Sequence, residues 1–158
     1  MQERTISLPA LAGPGVVGGF AGAILIDAYL ILTVVFASHE TSVSGFYRFV
    51  ASGALGKAAY AEPAAPYLGL VLHLLVGIAW GIGYAYVAAR TAQVRQRPLV
   101  SGIAFGVVVM IAMQFVEVAA NIYRLPDAFS LFNSFVAHVA FFGIPVAYIV
   151  AKRLEPHA

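Results

Sequence analysis

From Pro66 to Ala89 the chain reads PYLGLVLHLLVGIAWGIGYAYVAA, without one Asp, Glu, Lys or Arg. The hydrocarbon core of a bilayer is about 30 Å thick, which a helix of about 20 apolar residues crosses. This stretch has that length, and Arg90 ends it. Outward from it, three more such runs appear, over about residues 15–37, 99–122 and 131–151. Hydrophobic residues make up 61% of the chain and charged residues 10%, against roughly 45–50% and about 25% in soluble domains. Lipid is therefore the expected solvent. The fold expected is all-α: one integral membrane four-helix bundle over residues 1–158.

Lys and Arg collect on the cytoplasmic side of membrane proteins. Arg4, Arg90, Arg95, Arg97, Lys152 and Arg153 fall on one side of a four-span chain, and only Arg48, Lys57 and Arg124 on the other. Both termini are expected inside. These cations are scattered between apolar runs and form no stripe, so the net charge of +2 does not point to nucleic acid. With no cysteine, thiolate metal sites and thiol nucleophiles are excluded. Arg4 ahead of an apolar run, and Val35-Phe36-Ala37 after it, loosely resemble a signal peptide. The run is too long for one, however, and Asp27 interrupts it.

The first outer loop, residues 38–63, is long for a bundle connection. Within it Phe46, Phe49, Val50 and Gly53 recur at helical spacing opposite Arg48 and Ser52. This predicts a short helix, either lying in the outer interface or closing the bundle as a lid, with Gly53 and Gly56 ending or kinking it. Tyr47, Tyr60 and Tyr67 suit an interfacial aromatic belt.

Each span carries an ionisable side chain. Asp27 lies near the middle of the first, His73 and His138 share a level in the second and fourth, and Glu117 follows Gln114 in the third. Ionisable groups in hydrocarbon face the bundle interior or water and find partners. Small residues run along the same faces. Gly15, Gly19, Ala23 and Asp27 form one stripe, His73, Gly77 and Gly81 a second, and Gly102, Gly106, Met110, Met113 and Glu117 a third. Such stripes let helix backbones approach closely. Gly18-x-x-x-Gly22 answers Gly102-x-x-x-Gly106 as part of a weak internal repeat of two hairpins.

Three readings compete for the set Asp27, His73, Gln114, Glu117 and His138. One is a structural hydrogen-bond network in an accessory subunit. Another is a proton or ion relay in a small carrier, with Pro145 available to kink the fourth span. The third is a ligand site for a transition metal or b-type haem on His73, His138 and Glu117. The haem variant needs the second and fourth spans to face each other across space opened by Gly77 and Gly81. No HExxH, GxSxG or phosphate-binding loop is present, so no enzyme is indicated. His39 and Glu40 read as solvated, and mid-span Trp80 as packed inside the bundle. The partners expected are the bilayer and either a second copy or a larger membrane complex.

The order of motifs also carries a resemblance. Asp27 is followed by Ala51-Ser52-Gly53-Ala54-Leu55-Gly56, then by Leu68-Gly69-Leu70-Val71-Leu72-His73, then by His138 with Gly143-Ile144-Pro145. The chain resembles a group of small, uncharacterised four-helix bacterial membrane proteins. With His138 and the basic pair Lys152-Arg153, it is loosely similar to YagU-like inner-membrane proteins. The resemblance implies residence in the bacterial inner membrane with an unassigned activity. The proline-rich segment expected after the first span of YagU-like proteins is absent.

Overall fold

The computed structural model describes residues 8–154, so Arg4 lies outside the described residues. All elements there are helical: α1 (Leu8–Leu30), α2 (Val43–Leu55), α3 (Ala65–Arg90), α4 (Ala92–Gln96), α5 (Pro98–Ala119), α6 (Ala128–Val136) and α7 (Ile144–Leu154). A π-helical segment, Ile31–Ala37, continues α1, and a second, Ala137–Gly143, joins α6 to α7. Four helices are thereby long and apolar enough to cross a membrane: Ala12–Ala37, Ala65–Arg90, Pro98–Ala119 and Ala128–Leu154. The large side chains Phe20, Leu32, Phe36, Leu75, Phe115 and Phe132 face outward, the distribution that a lipid solvent favours and water penalises.

Two span ends differ from the sequence expectation for reasons visible in the caps. The third span stops at Ala119, short of Ile122, because Asn121 adopts a left-handed φ of 57°. The amide of Ile122 then turns back to the carbonyl of Glu117 at 3.0 Å, closing the orphan carbonyls of the helix end. The fourth span begins at Ala128, ahead of Leu131, because the Asp127 side chain caps it by accepting from the Ser130 amide at 2.7 Å. The first span runs back through Pro14 to Leu8. A proline there removes one hydrogen bond near the start of the helix without ending it.

Each π-helical segment has a local cause. Pro145 has no amide hydrogen, and its ring crowds the carbonyl four residues earlier. The widened turn before it lets the Ile144 amide reach Val139 instead. In the first span the Thr33 hydroxyl donates to the Tyr29 carbonyl at 3.0 Å, competing with the regular amide ladder. Pro145 thus acts through a local widening of the helix.

Glycines set how the helices meet. A Cβ on Gly15 or Gly19 would strike the α3 backbone at Gly81, Ile82, Gly77 and Ile78, and a Cβ on Gly77 would strike the Ala23 side chain. In the second hairpin Gly102 and Gly106 meet Gly143, Ile144, His138 and Val139 in the same way. Gly18 and Gly22 play a different part, receiving Val146, Val150 and Phe142 from the fourth span and so joining the two hairpins. The buried core is built around Ile26, Tyr84, Phe142, Val146 and Val150.

α2 is the short helix expected between the first two spans. It crosses α3 where Gly69 lies against the Tyr47 carbonyl, and its far end reaches α5, with Gly53 beside Val116 and Gly56 beside the Ala120 carbonyl. Gly53 sits inside this helix, and Gly56, with φ 57°, ends it. Arg48 fixes the return of the chain by donating to the carbonyls of Ala59 at 3.0 Å and Glu62 at 2.6 Å.

Replacing Gly19 with Leu is expected to lower stability by about 1–3 kcal/mol or more, the usual cost of overpacking. The clash there is with α3 backbone, which cannot yield as a side chain can. Gly83→Ala, where a Cβ meets nothing, is the control and should melt like the parent. Helical circular dichroism against temperature in mild detergent measures both.

Candidate functional site

The zipper of small residues between the first two spans ends in a polar pair. Gly15 packs on Gly81, Gly19 on Gly77 and Ala23 on Gly77, and one turn further Asp27 Oδ1 meets His73 Nδ1 at 2.5 Å. Asp27 is only 5% exposed. Apart from this charge contact, neither of the two meeting atoms has a hydrogen-bond partner among the described residues. The second carboxylate oxygen, Oδ2, accepts from the Tyr47 hydroxyl of α2 at 3.2 Å. Phe46 sets its ring edgewise to His73 at 6.4 Å. Three elements, α1, α2 and α3, therefore converge on one carboxyl group.

Tyr47 stands outside the spans, and its phenol is pushed up to about 12. Burial is the largest cause, followed by the negative charge of Asp27 and the hydrogen bond to it. The phenol thus remains a donor toward Asp27 throughout the neutral range.

His73 and His138 line the same cavity of about 30 Å³ at the junction of all four spans. Ala23 and Ile26 come from the first span, Gly77 and Trp80 from the second, Val109 and Met113 from the third. A water needs roughly 10–15 Å³ by this measure, so the space is of two- or three-water size. His138 Nδ1 lies 2.8 Å from the Ser134 carbonyl. A carbonyl only accepts, so the neutral imidazole carries its proton on Nδ1. Nε2 of each histidine is left without a protein partner among the described residues.

Glu117 and Gln114 are not drawn into this group. Both are partly exposed in the last turns of α5, and neither side chain makes a hydrogen bond or ion pair among the described residues. Nor do three or more His, Asp or Glu there gather into a group able to hold a metal. The space that a haem between His73 and His138 would need beside Gly77 and Gly81 is filled by the first span, through Gly15, Gly19 and Ala23. A cavity of about 30 Å³ has no room for a porphyrin.

The register of the glycine contacts refines the internal repeat. Gly19 lies on Gly77 and Ile78 as Gly106 lies on His138 and Val139. Carried along the helices, this register sets Gln114 in the place of Asp27 and Ser134 in the place of His73. The two histidines are therefore not counterparts, and the acid–imidazole pair belongs to the first hairpin alone.

The chain belongs to DUF6789, a family of unknown function. Its family model matches residues 10–157, which takes in all four spans and every residue of the site. No curated protein and no solved structure matches the chain, and no similarity to YagU-like proteins emerges.

Four polar residues of the site region escaped the sequence reading. Tyr47 was expected only in an aromatic belt, and Thr33, Asn133 and Ser134 carried no expectation. Asn133 is 5% exposed and donates to Thr33 Oγ1 at 3.1 Å, tying the fourth span to the first. An amide at the first inward turn of an apolar helix was the available signal.

Tyr47→Phe should remove one late step from the ultraviolet phenolate titration. The folded-state value lies above the ordinary phenol value of 10. The stabilisation linked to it is therefore complete below pH 10 and lost as pH rises through about 12. Asn133→Ala is expected to cost about 1 kcal/mol, typical of interhelical hydrogen bonds in membranes, read as a lowered thermal midpoint.

Proposed function

We propose that this chain is a small proton-coupled carrier of the bacterial inner membrane, with both termini cytoplasmic. In this orientation α2 lies in the outer interface and closes the outer end of the bundle. The observation that carries the reading is the placement of the Asp27–His73 pair beside a water-sized cavity that a second histidine also lines. Buried ion pairs are weak sources of stability, because desolvation offsets most of their attraction. The bundle already has a neutral cross-link of the structural kind in Asn133 and Thr33. A titratable pair next to space for water is instead the usual equipment of a proton pathway.

The chemistry runs through ring nitrogens. A proton arriving at the cavity is accepted by Nε2 of His73, whose Nδ1 proton is held toward Asp27. The carboxylate stabilises the imidazolium so formed. His138, with Nδ1 held by the Ser134 carbonyl, offers a second Nε2 across the same space. Tyr47 holds the other carboxylate oxygen and, with Phe46, covers the pair from the α2 side. Assembly with a second copy or a larger membrane complex would supply the wall that a four-span carrier lacks.

A structural role for the same contacts makes a different forecast, since Asp27 ties α1 to α2 and α3. Asp27→Asn keeps the shape and the ability to accept from Tyr47 but cannot titrate. In proteoliposomes with an internal pH dye, the parent should carry protons down an imposed gradient above the level of empty vesicles. Asp27→Asn and His73→Gln should lower that flux by about 100-fold, the low end for a positioned proton-transfer group. Parent flux no greater than that of empty vesicles, or unchanged flux in Asp27→Asn, would overturn the carrier reading. A lowered melting point alone would assign the pair to packing.

A further inference from the structure

We propose that the cleft between α3 and α5 is a binding site for one anionic phospholipid, with an acyl chain in the cleft and the phosphate among the arginines at its basic end. The proposal rests on the chain spanning a bilayer but not on its carrying protons.

The cleft follows from the glycine contacts. α3 is drawn onto α1, and α5 onto the fourth span, so no small residues pull α3 and α5 together. Aromatic rings bridge the gap instead, with Phe105 at 4.8 Å from Tyr84 and 6.2 Å from Trp80. Outside these rings lies an apolar cleft of about 470 Å³, walled by Gly83 and Val87 on one side and Ala104 and Val108 on the other. Gly83 has nothing within 4 Å of where a Cβ would stand.

One end of the cleft is basic. Val94 and Ser101 line it, and Ser101 Oγ is hydrogen-bonded to the carbonyls of Val94 and Arg97, both at 2.9 Å, as well as to the Tyr84 hydroxyl at 2.7 Å. The backbone of Arg97 is thereby fixed at the mouth. Arg95 donates to the Ala88 carbonyl at 3.2 Å, and Arg90 lies over the Tyr86 ring. Arg97 is exposed, and its guanidinium makes no hydrogen bond or ion pair among the described residues. No Asp or Glu occurs in the sequence between Glu62 and Glu117, so no acid from either wall of the cleft or the loop joining them competes with a phosphate. An apolar slot ending in arginines that meet no acid among the described residues is complementary to an anionic lipid, and basic pockets between spans are recognised sites for such headgroups.

Native mass spectrometry of the full chain in mild detergent, titrated with phosphatidylglycerol or with phosphatidylcholine of the same acyl chains, tests this. One phosphatidylglycerol should bind at lower concentration than phosphatidylcholine does. Arg97→Gln should weaken phosphatidylglycerol roughly fivefold, as expected for one interfacial cation, and leave phosphatidylcholine unchanged. Gly83→Leu, whose Cβ meets nothing within 4 Å and whose side chain occupies the cleft, should abolish the bound lipid while the melting point stays at the parent value. Equal binding of the two lipids, or retention of the bound phosphatidylglycerol in Gly83→Leu, would overturn the proposal. So would a dimer of the parent that Gly83→Leu abolishes, because a second copy would then occupy the cleft. Proton flux is not read in this experiment, so its result stands apart from that of the carrier test.

Discussion

Backbone-to-backbone contact between the first two spans, at Gly15 and Gly19 against Gly81 and Gly77, governs what the rest of the molecule can do. In lipid there is no hydrophobic force to draw apolar helices together, so association depends on close packing and on hydrogen bonds. Small residues at steps of four on both helices let the chains touch along a line. That line ends at Asp27 and His73, and the polar pair is made at the only height where the two stripes bring an acid and an imidazole level. The same constraint works in the second hairpin through Gly102, Gly106 and Gly143, where the level positions are held by Gln114 and Ser134 and no such pair arises.

Two consequences follow from putting the tight contacts inside hairpins. Between the hairpins the first and fourth spans still pack well, because Val146 and Val150 enter over Gly18 and Gly22. The second and third spans do not, and aromatic rings with the Tyr84–Ser101 hydrogen bond span their separation among the described residues. The small cavity shared by His73 and His138 lies on the inner side of those rings, and the larger apolar cleft lies on the outer side. Trp80 lines both, a role that its mid-span position alone did not reveal.

α2 turns a simple hairpin into an enclosed site. Without it the Asp27 carboxyl would keep one oxygen unpaired, and a buried unpaired carboxylate is costly. Tyr47 supplies the missing donor, and the close approach of the Tyr47 carbonyl to Gly69 holds it there. Arg48, on the next residue, binds the returning loop, so the helix that covers the pair is itself anchored by its neighbours.

Four spans, their approximate ends, the short helix after the first span and the faces carrying glycine were all legible in the sequence. Each rests on local rules, namely the length needed to cross a bilayer and the helical repeat that puts every fourth residue on one face. Asp27 and His73 were legible as residues needing partners, because an ionisable group in hydrocarbon must find one. Their identity as each other's partner was not, since it depends on the vertical register between two helices, which is set by where the glycines interlock. For the same reason Glu117 and Gln114, similar in kind and depth, stay outside the group, and Tyr47 enters it from the short helix α2. What only the tertiary structure decided is which stripe meets which, because close contact between helices is a property of pairs of surfaces and neither surface alone contains it.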